Sequence, residues 1–263
     1  MREFRAMKER GEKIAVLTCY DHLFARLLDD SPVDAVLVGD SLGQVILGYE
    51  TTLPVTLEEM IHHTAAVHRG LRGPLLIGDM PFLSYQVSDE DALRNAGRLL
   101  KEGGAEAVKV EGGDPETVSR VAALVRAGIP VMGHLGFTPQ SIHRLGGYRV
   151  QGRGADEAER IREEALRLQE AGCFAIVLEL MPSEAAARTS GSLEIPTIGI
   201  GAGPGCDGQV LVLPDMLGLN EAFRPRFLRH FAALGPAARE GIAAFVEAVR
   251  SGEYPGPEES YEG

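Results

Sequence analysis

The sequence predicts a (β/α)₈ barrel, and three observations carry the prediction. Eight short apolar runs rich in Val, Ile and Leu recur along the chain. Longer stretches with apolar residues at helical spacing separate most of them. The chain has 263 residues, long for an ordinary domain and normal for an α/β barrel. A doubly wound open sheet is the runner-up, with fewer strands and longer helices.

In chain order the expected strands are KIAVLTC, DAVLVGD, PLLIGDM, EAVKVEG, IPVMGHL, FAIVLEL, IPTIGIG and QVLVLPD. Between them, TLEEMIHHTAAVHRG, SDEDALRNAGRLLKEGG, DPETVSRVAALVRAG and ADEAERIREEALRLQEAG read as amphipathic helices that close near a Gly. Ser88 and Asp114 are the expected N-caps, each with acids in the first turn. Two further helical segments, FRPRFLRHFAALG and PAAREGIAAFVEAVRSGE, exceed what a minimal barrel needs. They would cover a barrel end or make a subunit contact. No interdomain linker is visible, so the expectation is a single barrel domain over residues 1–263 with additional C-terminal helices. The acidic Pro/Gly-rich tail GEYPGPEESYEG reads as a loose terminus.

Composition narrows the function. A formal net charge of -12 argues against nucleic acid or an anionic membrane as partner. It leaves anionic small substrates open, because one Lys or one metal ion reverses a local field. No apolar run reaches the length of a membrane span, and the charged start MREFRAMKERGEKIAVLT lacks the apolar stretch of a signal peptide. Cys19, Cys173 and Cys206 are odd in number and far apart, which fits neither a disulfide framework nor a zinc site. A reduced cytoplasm is the expected compartment.

The chemistry lies at the strand ends. A barrel of this class builds its active site at the C-terminal face of its strands, so the residues that end each strand converge. Here they are Asp40, Asp79, Lys109, Glu111, His134 and Glu179. Carboxylates crowded together repel unless a cation joins them. An oxygen-only donor set of Asp and Glu suits Mg²⁺, which keeps positions open for substrate and water. Asp40, Asp79 and Glu111 end three consecutive strands and are the expected metal ligands, directly or through water. Lys109 stands two residues before Glu111, on the same side of its strand, where its charge would hold a substrate carboxylate or enolate oxygen. Glu179, further round the barrel, is the expected base. His134 would orient substrate or a metal-bound group. His62, His63 and His68 lack metal-binding spacing and read as packing or surface residues.

Three loops add to this. GQVILGYETTLPVT after the second strand suits a lid or wall. GFTPQSIHRLGGYRVQGRG after the fifth is long and Gly-rich and carries Arg144, Arg149 and Arg153, as functional loops do. GIGAGPGCDGQ after the seventh is either a phosphate-binding Gly loop or a tight crossover where backbones approach closely.

LVGDSLG, TLPVT, GDMPF, VKVEGG, GHLGFTPQS, GGYRVQGRG and IGIGAG, in this order over nearly the whole chain, resemble the ketopantoate hydroxymethyltransferase family. The resemblance implies a barrel of the phosphoenolpyruvate/pyruvate type and a homo-oligomer, often a decamer. It implies Mg²⁺ and 5,10-methylenetetrahydrofolate as one-carbon donor. It also implies metal ligation by Asp40, Asp79 and Glu111, a 2-oxo acid held near Asp40, Ser41, Asp79 and Lys109, and Glu179 as the base. The implied reaction moves a hydroxymethyl group to 3-methyl-2-oxobutanoate through a Mg²⁺-stabilised enolate, giving 2-dehydropantoate for pantothenate biosynthesis. The folate-contacting residues are not implied. Two rivals make different predictions. A Mg²⁺-dependent carbon–carbon lyase on the same barrel would turn over without folate. A non-catalytic metal-binding barrel would bind Mg²⁺ without exchanging the substrate's C3 proton.

Overall fold

The computed structural model of the chain describes residues 1–261. In order it contains α1 (Arg2–Arg10), β1 (Ile14–Thr18), α2 (His22–Asp29), β2 (Ala35–Val38), α3 (Leu42–Val45), α4 (Leu57–His68), β3 (Leu75–Asp79) and α5 (Asp89–Lys101). It continues with β4 (Ala107–Glu111), α6 (Pro115–Arg126), β5 (Val131–Gly136), α7 (Ile142–Leu145), α8 (Ala155–Glu170), β6 (Ala175–Glu179) and α9 (Ser183–Gly191). Last come β7 (Thr197–Ile200), β8 (Gly208–Leu211), α10 (Leu213–Met216) and α11 (Leu234–Ser251). All eight expected strands are present, and they close in sequence order into a parallel barrel, β8 pairing back onto β1. The chain forms two compact units, Met1–Val212 and a second that begins at Leu213. The barrel lies in the first.

Side-chain alternation along the strands sorts the barrel interior by height. Ile77, Ala107, Met132, Ala175 and Val177 belong to one buried apolar cluster with Ile14, Val16, Ala35, Leu37, Ile198 and Val210. Two residues further along the same faces, β3 ends in Asp79, β4 passes through Lys109 to Glu111, β5 reaches His134 and β6 reaches Glu179. The interior is therefore apolar below and charged at the C-terminal mouth. Helix α1 completes the apolar part: Phe4 and Met7 join the same cluster, and Phe4 meets Phe174 edge-on. Lys8 of α1 pairs with Asp207 at 3.0 Å and donates to the carbonyls of Ser190 and Ile195.

Local chemistry sets the helix starts. Ser88 accepts from the Asp91 N–H, and Asp114 accepts from the Thr117 N–H with Pro115 behind it, as the sequence predicts. Thr56 and Glu59 form a reciprocal capping box at the head of α4. The GAGPGCD segment joins β7 to β8, which pair directly in parallel, without an intervening helix. A Cβ at Gly203 would collide with Ser183, and one at Gly208 with the Ile14 carbonyl, so two glycines here serve close backbone approach.

In the second unit α11 forms as expected, but FRPRFLRHFAALG is irregular up to residue 233. Pro225 disfavours helical backbone at Arg224. The segment instead returns on α10: the Phe231 N–H donates to Met216 O at 2.8 Å and the Leu234 N–H to Leu217 O at 3.0 Å. The tail contains a 3₁₀ turn at Pro257–Glu259; residues 262 and 263 lie outside the described residues.

Candidate active site at the barrel mouth

Parallel register brings the strand-end residues together. Asp79 of β3 lies opposite Lys109 of β4, Glu111 of β4 opposite His134 of β5, and Gly136 of β5 opposite Glu179 of β6. Lys109 Nζ is 2.9 Å from Asp79 Oδ1, 3.6 Å from Glu111 Oε1 and 3.2 Å from His134 Nδ1. His134 lies between two acids, with Nδ1 3.3 Å from Glu111 Oε1 and Nε2 3.2 Å from Glu179 Oε2. Asp40, just past β2, closes the group: its backbone N–H donates to Asp79 Oδ2 at 3.1 Å. Ser41 stands at the head of α3, its hydroxyl 2.8 Å from that of Tyr20. The structure thus gathers Asp40, Asp79, Lys109, Glu111, His134 and Glu179 in one contact network, with Ser41 adjoining it.

Burial sets the electrostatics. Asp40, Asp79, Lys109, Glu111 and His134 are all buried, whereas the Glu179 side chain is 17% exposed. Loss of water, then the charges of Asp79 and Glu111, push the Asp40 carboxyl well above its usual range. Burial also raises Asp79, against the pull of Lys109. Burial would raise Glu111 too, but Lys109 and His134 outweigh it and hold Glu111 low. For Lys109 burial favours the neutral amine, and the three surrounding acids reverse that, so it stays charged. Burial and Lys109 depress the His134 imidazole; its bonds to Glu111 and Glu179 win and lift it to about 9.

Two residues outside the sequence-derived set organise the group. Gln140 lies in the loop after β5. Its side-chain N–H donates to Asp40 Oδ2 at 3.0 Å and to Met80 O at 2.9 Å, while its backbone N–H donates to Glu111 Oε2 at 3.0 Å. Tyr85 donates to Gln140 Oε1 at 2.9 Å and accepts from the Glu111 N–H at 3.2 Å. Gln140 belongs to the GHLGFTPQS motif, but nothing in its spacing marks it, because loop residues carry no periodicity. The loop itself is tied to β6: the Phe137 N–H donates to Glu179 O and the Gln151 N–H to Leu180 O, both at 2.9 Å.

Among the described residues no three His, Cys, Asp or Glu side chains stand ready-made as a metal site; Lys109 supplies the cation between the acids. The donor set nevertheless fits a hard cation. Asp79 Oδ1 and Glu111 Oε1 are buried with only the cationic Lys109 and the His134 ring beside them, and all three acids offer only oxygen. The His63 ring donates from Nδ1 to Tyr20 O, 2.6 Å away, and His62 and His68 are exposed, apart from the charged group. The three cysteines are free and buried.

Comparison with known proteins places this geometry. The model of the ketopantoate hydroxymethyltransferase family matches residues 1–257. A 3-methyl-2-oxobutanoate hydroxymethyltransferase of Moorella thermoacetica is 54% identical over 98% of this chain and 96% of its own. One of Pelobacter propionicus is 56% identical over 97% and 94%. Among solved structures, phosphonopyruvate hydrolase in complex with oxalate and Mg²⁺ superposes with a TM-score of 0.62 at 12% identity, covering 98% of this chain and 92% of that one. A 2,3-dimethylmalate lyase of the PEP mutase/isocitrate lyase superfamily gives 0.59 at 18% identity, over 98% and 91%. At such identities the likeness is one of fold alone, a closed barrel of eight parallel strands. By the family match over almost its whole length, and by relatives above half identity, this chain belongs to the ketopantoate hydroxymethyltransferases and is a transferase.

Proposed function

We propose that the chain transfers a hydroxymethyl group from 5,10-methylenetetrahydrofolate to 3-methyl-2-oxobutanoate, giving 2-dehydropantoate on the route to pantothenate and coenzyme A. The observation that carries the reading is the division of labour among the acids. Three are sealed around Lys109, and Glu179 alone keeps partial access to the mouth. Asp40, Asp79 and Glu111 are the residues that would hold Mg²⁺. The ion, when bound, supplies Lewis-acid stabilisation of negative charge on the oxo acid's oxygens.

The chain's own groups supply the rest. Lys109 stays protonated and attracts the carboxylate of the 2-oxo acid, with Asp40, Ser41 and Asp79 around it. Glu179 takes the proton from C3. His134, within 3.2 Å of Glu179, orients that carboxylate and links it to Glu111. The enolate carbon then attacks the methylene carbon of the folate as one of its two C–N bonds breaks, and water replaces the remaining nitrogen on that carbon, supplying the product hydroxyl and releasing tetrahydrofolate. The chain works as a homo-oligomer in the cytoplasm, with small molecules as its only ligands. Support for the substrate class comes from the relatives' names and from the Mg²⁺–oxalate complex of a barrel with the same fold.

The test is turnover of 3-methyl-2-oxobutanoate with and without Mg²⁺ and methylenetetrahydrofolate, beside solvent deuterium exchange at C3. Glu179→Gln is expected to abolish exchange while binding the oxo acid nearly as well as the wild type. Exchange at the wild-type rate in that variant would remove Glu179 from its role. Folate-independent cleavage of a carbon–carbon bond would favour the lyase reading instead.

A further inference from the structure

We infer that Tyr148 is the stacking platform for the one-carbon donor, a reduced pterin with an anionic tail, and that the surrounding Arg-rich loop receives the tail. The inference rests on the folate reading above and gives that co-substrate its contact residues.

The ring is fixed from two sides of the mouth. From the β5–β6 side, Phe137 is fully buried and packs on Tyr148 with ring centroids 5.0 Å apart and planes 34° apart. Phe137 is itself held by its N–H bond to the carbonyl of Glu179, the proposed base. From the β2 side, Gln44 lies one helical turn after Asp40 and donates its amide N–H to the Tyr148 hydroxyl at 2.9 Å. Tyr148 thereby bridges the loop that carries Asp40 and the loop stitched to Glu179. Yet the residue is 57% exposed. An aromatic ring anchored at its face and its hydroxyl, with more than half its area left to solvent, offers a flat apolar surface already paid for in entropy.

Charge in the same loop matches the rest of the donor. Residues 137–154 contain Arg144, Arg149 and Arg153 and no Asp or Glu, in a chain whose net charge is -12. All three arginines are exposed, and none is ion-paired with a carboxylate among the described residues. A folate presents these two chemistries in one molecule: a planar heterocycle that stacks, and a glutamyl tail that carries carboxylates.

The experiment measures steady-state kinetics for both substrates with Tyr148→Ala, Tyr148→Phe and the double variant Arg144→Gln/Arg149→Gln, as full-length protein. For Tyr148→Ala the KM for methylenetetrahydrofolate is expected to rise about tenfold or more, with the KM for 3-methyl-2-oxobutanoate within about twofold of wild type. Tyr148→Phe keeps the ring and is expected to recover most of the loss. The arginine pair is expected to raise the folate KM in a salt-sensitive way and to erase the preference for the folate over a methylenetetrahydropteroate donor that lacks the glutamate. Deuterium exchange at C3, which consumes no folate, reports in every variant whether the oxo-acid site has folded. An unchanged folate KM in Tyr148→Ala, or equal changes in both KM values, overturns the inference while leaving the transferase reading intact. Wild-type protein without folate-dependent turnover removes both.

Discussion

Gln140 shows how one buried side chain serves several charged ones. Its amide donates to Asp40, its own backbone N–H donates to Glu111, and Tyr85 fixes which way the amide faces. Replacing it with Leu takes the amide donor from the buried Asp40 oxygen and Met80 carbonyl, which is costlier than losing a surface bond. Outer-shell partners of metal ligands are worth about 10–100-fold in metal affinity. Gln140→Leu is therefore expected to weaken Mn²⁺ binding by about that factor, read by electron paramagnetic resonance on enzyme without substrate; wild-type affinity would show that Asp40 and Glu111 hold their positions unaided. The cysteines provide a pH prediction. Burial pushes the Cys19 thiol up to about 11 and the Cys173 thiol up to about 12. An unfolded thiol ionises near 8.5, so the unfolded chain loses its protons first as pH rises. Their effect is absent below about pH 8.5, and stability then falls with pH until the folded thiols ionise. Native protein at pH 8 should resist iodoacetamide at Cys19 and Cys173 and react once unfolded in urea, as mass spectrometry would show.

Among the elements, the turn from β5 into its loop carries the tightest constraint. Gly136 has φ +88, and a Cβ there would strike the carbonyl of Glu179, the same oxygen that accepts the Phe137 N–H. Gly136→Ala is thus expected to cost more than the ~1 kcal/mol of an ordinary glycine replacement at positive φ. It should also slow C3 exchange by displacing the end of β6. Urea denaturation and exchange together check this, and unchanged exchange would detach the turn from the proposed base Glu179. On the adjoining strand, Leu180 directly after Glu179 has φ +45, a conformation that favours glycine, held by the Leu180 N–H to Ile200 O and the Gln151 N–H to Leu180 O. The capping box at Thr56 acts at a distance from all of this. Thr56→Ala should lower stability by about 1 kcal/mol without altering kinetics.

For the whole molecule, the sheet's closure turns six separated positions into one site, and a cation that joins three buried acids should stabilise the native state. With Mg²⁺ at a hundredfold over its Kd the gain is about 2.7 kcal/mol, visible as a rise in Tm that chelation reverses. Asp40→Asn should shrink that rise; an equal rise would place the ion elsewhere. The strands, the capped helices and the acids at the strand ends were legible in the order of residues, because apolar period and cap chemistry act locally. Lys109 and Glu111 could be put on one side of β4 by counting by two. Gln140 and Tyr85 could not be found that way, nor could the loss of helix at FRPRFLRHFAALG, where a return onto α10 replaces the expected turns. Sequence by itself determined which side chains arrive at the barrel mouth, since strand period and parallel order leave no other place for them. Only the tertiary structure decided which of them touch and which loop residues hold them, because those contacts join positions up to 100 residues apart and depend on how the long loops fold back over the mouth.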